Sequence, residues 1–243
     1  MYKNLLFDMD MTILDFNMAE RQALSGALQH LGVEPTEEIL KRYNEINLSQ
    51  WKLLEKGELT REELKVRRFR LLFEEMGIDI DPKEGAANYE PRLAQGSYYM
   101  EGARELLEKL QGQYAMYIVS NGTASIQHSR IAGADLAKYF DDIFISEEVG
   151  YNKPDQRFFD ACFKTIEGRL GQPLNLEETV IIGDSLSSDI QGGNRVGLDT
   201  IWFNPKGEGE RGDFKPQGEF PDGMRPTYEI RTLEQLPVLL QMQ

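Results

Sequence analysis

Short, continuous apolar runs alternate with longer amphipathic stretches along most of the chain. Leu5-Leu6-Phe7 ends at Asp8, Tyr114 to Val119 ends at Ser120-Asn121-Gly122, and Ile143-Phe144-Ile145 ends at Ser146-Glu147-Glu148. Thr179 to Ile182 ends at Gly183-Asp184-Ser185, and Thr200 to Phe203 ends at Asn204-Pro205. Stretches 101–112, 123–132, 155–167 and 186–196, which separate these runs, read as helices. Apolar strands without polar alternation, separated by helices, predict an α/β fold: a Rossmann-like parallel sheet covered on both faces. Such sheets bind ligands at the carboxyl ends of their strands, and the polar residues gather at that edge.

One long stretch, 15–98, breaks the alternation and reads as all helix, an inserted helical cap on a core made of 1–14 and 99–243. Leu24, Leu28 and Leu31 keep helical spacing, as do Val66, Phe69, Phe73 and Met76. Thr60-Arg61-Glu62-Glu63 fits a capping box that opens the third helix, and Gly32, Gly57 and Gly77 punctuate helix ends. The basic run Lys65-Val66-Arg67-Arg68-Phe69-Arg70 reads as the solvated face of an amphipathic helix. Segment 205–226, rich in Gly, Pro and charge, reads as a surface loop or mobile excursion; a strand at 228–230 and a helix at 233–240 close the chain.

Charge narrows the partners. Among 243 residues, 27 Lys and Arg face 41 Asp and Glu, a formal net charge of −14. That argues against nucleic acid, whose phosphates need Lys and Arg, and against a polybasic membrane surface. A small anionic substrate stays open, because one site can be locally positive on an acidic protein. The single cysteine, Cys162, sits in an apolar helical stretch and reads as a buried, inert thiol. Two histidines, His30 and His128, are too few for a histidine metal cluster. No apolar run approaches the roughly 20 residues of a membrane span, and Asp8 and Asp10 interrupt the first apolar run before a signal peptide could form. A cytoplasmic protein, monomer or homodimer, is expected.

Four strand tips carry the candidate chemistry. Asp8-Met9-Asp10-Met11-Thr12 sets two carboxylates at i and i+2, where one can present its side chain and the other its backbone carbonyl; the plainer alternative is a capping Asp and a turn. Ser120-Asn121-Gly122-Thr123 offers a hydroxyl and backbone N–H groups entering a helix, which suits an anionic oxygen, or serves as an ordinary N-cap. In Asn152-Lys153-Pro154-Asp155, Asp155 suits an N-cap and Lys153 lies just ahead of the helix, near the sheet edge. Gly183-Asp184 with Asp189 places two acids on one strand–helix corner, a fit for a hard cation with oxygen ligands or for a capped helix with an acidic first turn.

In order and together, Asp8-x-Asp10-x-Thr12, Ser120, Lys153 and Gly183-Asp184 with Asp189 resemble the haloacid dehalogenase superfamily of aspartate-nucleophile hydrolases over about 3–204, with the helical insertion where a type-1 cap belongs. Met11 departs from the Gly of most relatives, which implies a locally altered turn. The resemblance implies that Asp8 attacks phosphorus to form an aspartyl-phosphate, and that Asp10 protonates the leaving oxygen and then activates water. It implies Mg²⁺ on the Asp8 carboxylate, the Asp10 carbonyl and Asp184, with Asp189 supporting the site. Thr12, Ser120 and the Asn121 amide would bind phosphoryl oxygens, and Lys153 would neutralise charge. Asp10 and Asp184 together favour a phosphate ester over a halide. Stretches 183–193, 197–205 and 226–230 resemble the bacterial 5'-nucleotidase branch, which implies a nucleoside 5'-monophosphate as the small phosphorylated substrate. Asn47 and Trp51, one helical turn apart, are candidates for substrate specificity; Trp51 would stack on a base or pack in the cap's own core. Phosphoglycolate or a sugar phosphate, a phosphomutase of the same fold, and a non-catalytic binding protein stay as alternatives.

Overall fold

In the computed structural model, which describes residues 1–207 and 214–241, the apolar runs form one parallel sheet. Its strands are β1 (Asn4–Phe7), β2 (Ala115–Ser120), β3 (Asp142–Ile145), β4 (Thr179–Gly183), β5 (Asp199–Phe203) and β6 (Tyr228–Ile230). Their spatial order is β3-β2-β1-β4-β5-β6. β1 and β4 are buried along their whole length, which explains apolar runs without alternation. The chain leaves β1 for β2 and β3 on one side and then returns to β4 on the other. The order of strands therefore reverses at β1, and the crevice beyond its carboxyl end is where such a sheet binds ligands. Register makes the placement concrete: Phe7 lies opposite Ile118 and Ile182, so Asp8, Val119 and Gly183 come level at that edge.

The chain divides into two compact units. The sheet unit takes Met1–Asp15, Tyr99–Ala124 and the chain from Ala134 onward. The helical unit takes Phe16–Tyr98 together with Ser125–Gly133, a stretch outside the 15–98 insertion. It holds α1 (Phe16–His30), α2 (Glu37–Glu55), α3 (Arg61–Met76) and α4 (Pro82–Leu93) around a core that includes Leu28, Tyr43, Phe69, Leu72 and Tyr89. Ile126 joins this core, and the buried Arg130 donates from Nε to the Gly96 carbonyl at 2.8 Å. These contacts explain why most of α6 (Ala124–Gly133), which follows α5 (Ala103–Leu110), groups with the helices and not with the sheet.

The helix ends follow the polar signals. Thr36, Thr60 and Asp81 cap α2, α3 and α4, and Thr60 and Glu63 form the reciprocal capping box. Two expectations need correction. The buried stripe of α3 runs through Leu64, Arg68, Phe69, Leu72 and Phe73, while Val66 is only half-buried; Arg68, read as solvated, is inside the helical unit. Its guanidinium lies 4.7 Å from the centre of the Tyr89 ring and donates to Asn47 Oδ1 at 3.1 Å. Aromatic faces, a carboxamide and the Glu90 carboxylate at 3.8 Å make burial of that cation tolerable. The stretch 186–196 is not one regular helix: a wide turn over Leu186–Ile190 precedes a short helix at Gln191–Arg195. Between β3 and that turn lie α7 (Ser146–Val149) and α8 (Gln156–Leu170), and α10 (Gln235–Gln241) closes the chain; with Gln191–Arg195 as α9, these complete the α-helices among the described residues.

Cys162 is buried and its thiol is pushed up by burial, while His30 and His128 are exposed. Part of segment 205–226, residues 208–213, lies outside the described residues. No helix among the described residues is long and apolar enough to cross a membrane. The capping box offers a direct stability test. Thr60→Ala removes one oxygen from Glu63 N–H and should lower the stability of the helical unit by about 1 kcal/mol, read by urea unfolding.

Candidate active site

The site is built where β1 ends. Asp8 continues the ladder by donating its N–H to the Ile182 carbonyl at 2.9 Å, which fixes the backbone from which its carboxylate projects. The turn that follows closes with Met11 N–H donating to the Leu14 carbonyl at 2.7 Å, and Met11 itself has φ of 61°. That is the left-handed region, which costs an L-residue about 1–2 kcal/mol. The methionine thus holds a conformation that glycine adopts freely. Thr12, fully buried, points its hydroxyl at Asp8 Oδ2 across 3.5 Å.

Lys153 reaches this corner from the loop before α8. Its backbone is clamped: the N–H donates to Asn121 Oδ1 at 2.8 Å, and its carbonyl accepts from Asn121 Nδ2 at 2.8 Å. Its ammonium is fully buried and uses all three donors, on Asp8 Oδ1 at 2.7 Å, Asp189 Oδ1 at 2.6 Å and the Val119 carbonyl at 2.6 Å. Two anions hold the lysine pKa up against the opposing effect of burial. The position of Lys153 near the edge was expected from its place in the chain; its third acceptor, the Val119 carbonyl, leaves no mark in the sequence.

Asp189 arrives on the wide turn. Both Asp189 N–H and Ile190 N–H donate to the Ser185 carbonyl, at 3.0 and 3.2 Å, so one extra residue is spooled into the corner. Asp189 Oδ2 accepts the Ser185 N–H at 3.1 Å. A Cβ on Gly183 would run into the Asp189 carboxylate, so this strand end must be glycine for the acid to come so close. Both carboxylate oxygens of Asp189 are thus engaged, one by Lys153 and one by the Ser185 N–H.

Asp8, Asp184 and Asp189 offer carboxylate oxygens within 4.8 Å of one another. Burial pushes the Asp8 carboxyl up to about 7, Lys153 opposes that shift, and Asp189 and Asp10 add to it. Burial also pushes Asp184 well up, helped by the Asp8 and Asp189 charges. One lysine therefore serves four carboxylates, Asp10 among them, and the surplus negative charge suits a hard divalent cation bound by oxygens. The donor set fits Mg²⁺ and offers nothing to a soft metal.

Ser120, at the end of β2, is buried at the same edge. The first N–H of α6, that of Ala124, donates to Glu147 Oε2 at 2.6 Å, so a carboxylate occupies one of the donors that sequence reading gave to an anion. Asn47 lies elsewhere, inside the helical unit, where its Nδ2 donates to Glu20 Oε2 at 2.6 Å. Trp51 is half-buried against Leu54, Leu59 and Leu64, with the Arg61 guanidinium 5.8 Å from its ring centre. Trp202 was not singled out from sequence; its indole N–H donates to the Asp184 carbonyl at 2.8 Å.

Known proteins carry the same plan. The sequence model described as "Haloacid dehalogenase-like hydrolase" matches residues 5–203. The chain is 38% identical to HAD-hydrolase YfnB of Bacillus subtilis over all of this chain and 97% of that one. The crystal structure of YfnB, bound to magnesium, superposes with a TM-score of 0.86 over 98% of both chains. The chain is also 38% identical to pyrimidine 5'-nucleotidase PynA of Streptococcus pneumoniae, over 97% of this chain and 93% of that one. Pyrimidine 5'-nucleotidase YjjG of Escherichia coli is 28% identical over 97% of this chain and 96% of that one. The haloacid dehalogenase of Xanthobacter autotrophicus, at 18% identity and a TM-score of 0.71, shares the fold. With the family's sequence model spanning most of the chain and the acids and lysine of its motifs meeting at one sheet edge, the chain belongs to the haloacid dehalogenase-like hydrolases.

Proposed function

We propose that this hydrolase is a Mg²⁺-dependent phosphomonoesterase that acts on pyrimidine nucleoside 5'-monophosphates through an aspartyl-phosphate on Asp8. The observation that carries the chemistry is the Asp8–Lys153–Asp189 ion group beside Asp184 at the end of β1. What supports the substrate is the 38% identity with PynA over nearly the whole of both chains.

A carboxylate that attacks a phosphate dianion meets like-charge repulsion, on the order of 4 kcal/mol for one pair at 4 Å and an effective dielectric of 20. Lys153 offsets part of this and holds the Asp8 carboxylate by one oxygen. Thr12 and Ser120, with the backbone N–H of Asn121, would take phosphoryl oxygens. Asp10 would give its proton to the leaving oxygen and then accept one from the water that releases phosphate. Mg²⁺, held by Asp8, Asp184 and the Asp10 carbonyl, would supply the remaining charge neutralisation at the phosphoryl oxygens.

For selectivity we look to the polar cluster of the helical unit. Glu20 accepts from Asn44 and Asn47, each at 2.6 Å, and Arg68 donates to Asn47 Oδ1 at 3.1 Å, so Asn47 holds this cluster together.

Three outcomes test the reading. Asp8→Asn should reduce phosphate release from UMP by about 10³-fold or more, measured as inorganic phosphate across nucleotides, phosphoglycolate and hexose phosphates. Full turnover by that variant would remove the covalent step, and release confined to another ester would move the substrate.

The Asp8 pKa sets a stability test. Raised from 3.8 to about 7 in the metal-free protein, the folded carboxyl holds its proton where the unfolded one has lost it. That stabilisation is complete below pH 4 and fades as pH rises through 7. Mg²⁺ should therefore raise the melting temperature more at pH 8 than at pH 5; equal shifts would speak against cation binding at Asp8.

Asn47→Ala, which takes a donor from Glu20 and an acceptor from Arg68, should lower the ratio of kcat/KM for UMP to that for p-nitrophenyl phosphate by about tenfold. An unchanged ratio would confine Asn47 to packing.

A further inference from the structure

The excursion that follows β5 lies beyond residues 5–203, the span of the family's sequence model. Its described residues, 204–207 and 214–227, are tied down at several points. Glu229, a buried carboxylate on β6, accepts from Asn204 Nδ2 at 2.9 Å and from the Gln217 N–H at 3.1 Å. Its own N–H donates to the Phe214 carbonyl at 2.9 Å. Asn194 Nδ2 donates to the carbonyls of Gly223 and Arg225, both at 3.0 Å. One carboxylate thus fixes the departure and the return, and one carboxamide fixes the far limb.

Between these anchors stands Phe220. Its ring meets Trp202 edge-on, with centroids 5.9 Å apart and planes at 88°. Trp202 sits on β5 opposite Gly183, so Asp184 is the first residue beyond that pairing. The Asp184 carbonyl accepts from the indole at 2.8 Å, and the N–H of the same peptide unit, that of Ser185, donates to Asp189 Oδ2 at 3.1 Å. The peptide plane between Asp184 and Ser185 is held at both ends by side chains. Its orientation fixes the direction in which the Asp184 carboxylate leaves the backbone. An indole held by one hydrogen bond can still tilt about two side-chain torsions, and an edge-on ring limits that tilt.

We propose that Trp202 is a positioning residue for the Asp184 carboxylate, that Phe220 acts through Trp202, and that the excursion in this way tunes the affinity of the site for a divalent cation. The proposal rests on the reading of the acidic corner as a cation site. Partners one bond removed from metal ligands typically contribute 10–100-fold to metal affinity.

The test is calorimetric titration of Mg²⁺ into the full-length protein and into Trp202→Phe, Phe220→Ala and the double variant. The half-saturating Mg²⁺ concentration and kcat for a phosphate ester are read alongside. Trp202→Phe, which keeps a ring but loses the N–H, should weaken Mg²⁺ binding about tenfold. Phe220→Ala should weaken it in the same direction by a smaller factor, and the double variant should bind no more weakly than Trp202→Phe alone. The loss should fall on half-saturating Mg²⁺ far more than on kcat, a split that general destabilisation would not produce. Unchanged affinity in either folded variant, or effects that multiply in the double variant, would overturn the proposal. Should Trp202→Phe not fold, Phe220→Ala carries the test by itself. Absence of Mg²⁺ binding to the wild type would overturn the cation reading, and this proposal with it; binding by the wild type with no change in the variants would overturn this proposal alone.

Discussion

The ammonium of Lys153 is the interaction on which the rest of the site depends. It joins three segments far apart in sequence: the tip of β1 through Asp8, the end of β2 through Val119, and the corner after β4 through Asp189. Removing such charges from water costs several kcal/mol per ion, and only saturated geometry offsets that. Here every donor of the lysine is used, so the cost is met in one arrangement and not in its neighbours. Asn121 fixes the lysine backbone, and the wide turn after Ser185 brings Asp189 within reach. The ion group therefore favours one geometry for the corner.

The same interaction leaves the corner electrically incomplete. Burial raises Asp8 and Asp184, the neighbouring acids add to the rise, and one lysine shared among Asp8, Asp10, Asp184 and Asp189 only opposes it. A site in this state has a use for a cation and for a substrate that brings anionic oxygens to it. The fold supplies the place, because the strand order reverses at β1. The chemistry then follows from which side chains the register brings level with Phe7 and its neighbours.

Much of this was legible in the sequence. The strands could be read because burial on both faces makes them continuous apolar runs, and the acids and Lys153 stood at their ends. What could not be read has a physical reason in each case. Arg68 looked solvated because charge normally is; three aromatic rings and Asn47 house it. Residues 125–133 carry the pattern of any helix between strands, and it is their contacts, those of Ile126 and Arg130 among them, that show which unit they pack with. The left-handed conformation of Met11 could not be read, because an L-residue takes it only at its own cost. Trp202 gave no signal, since its role depends on a backbone carbonyl that no side-chain pattern reveals.

The central claim is that phosphate passes through Asp8, and the stereochemical course at phosphorus tests it most directly. A substrate made chiral at phosphorus with oxygen isotopes and sulfur, hydrolysed in isotopically labelled water, reports the number of displacements. Two in-line displacements, one by Asp8 and one by water, predict net retention of configuration. Net inversion would mean that water attacks the ester directly, and would contradict the account.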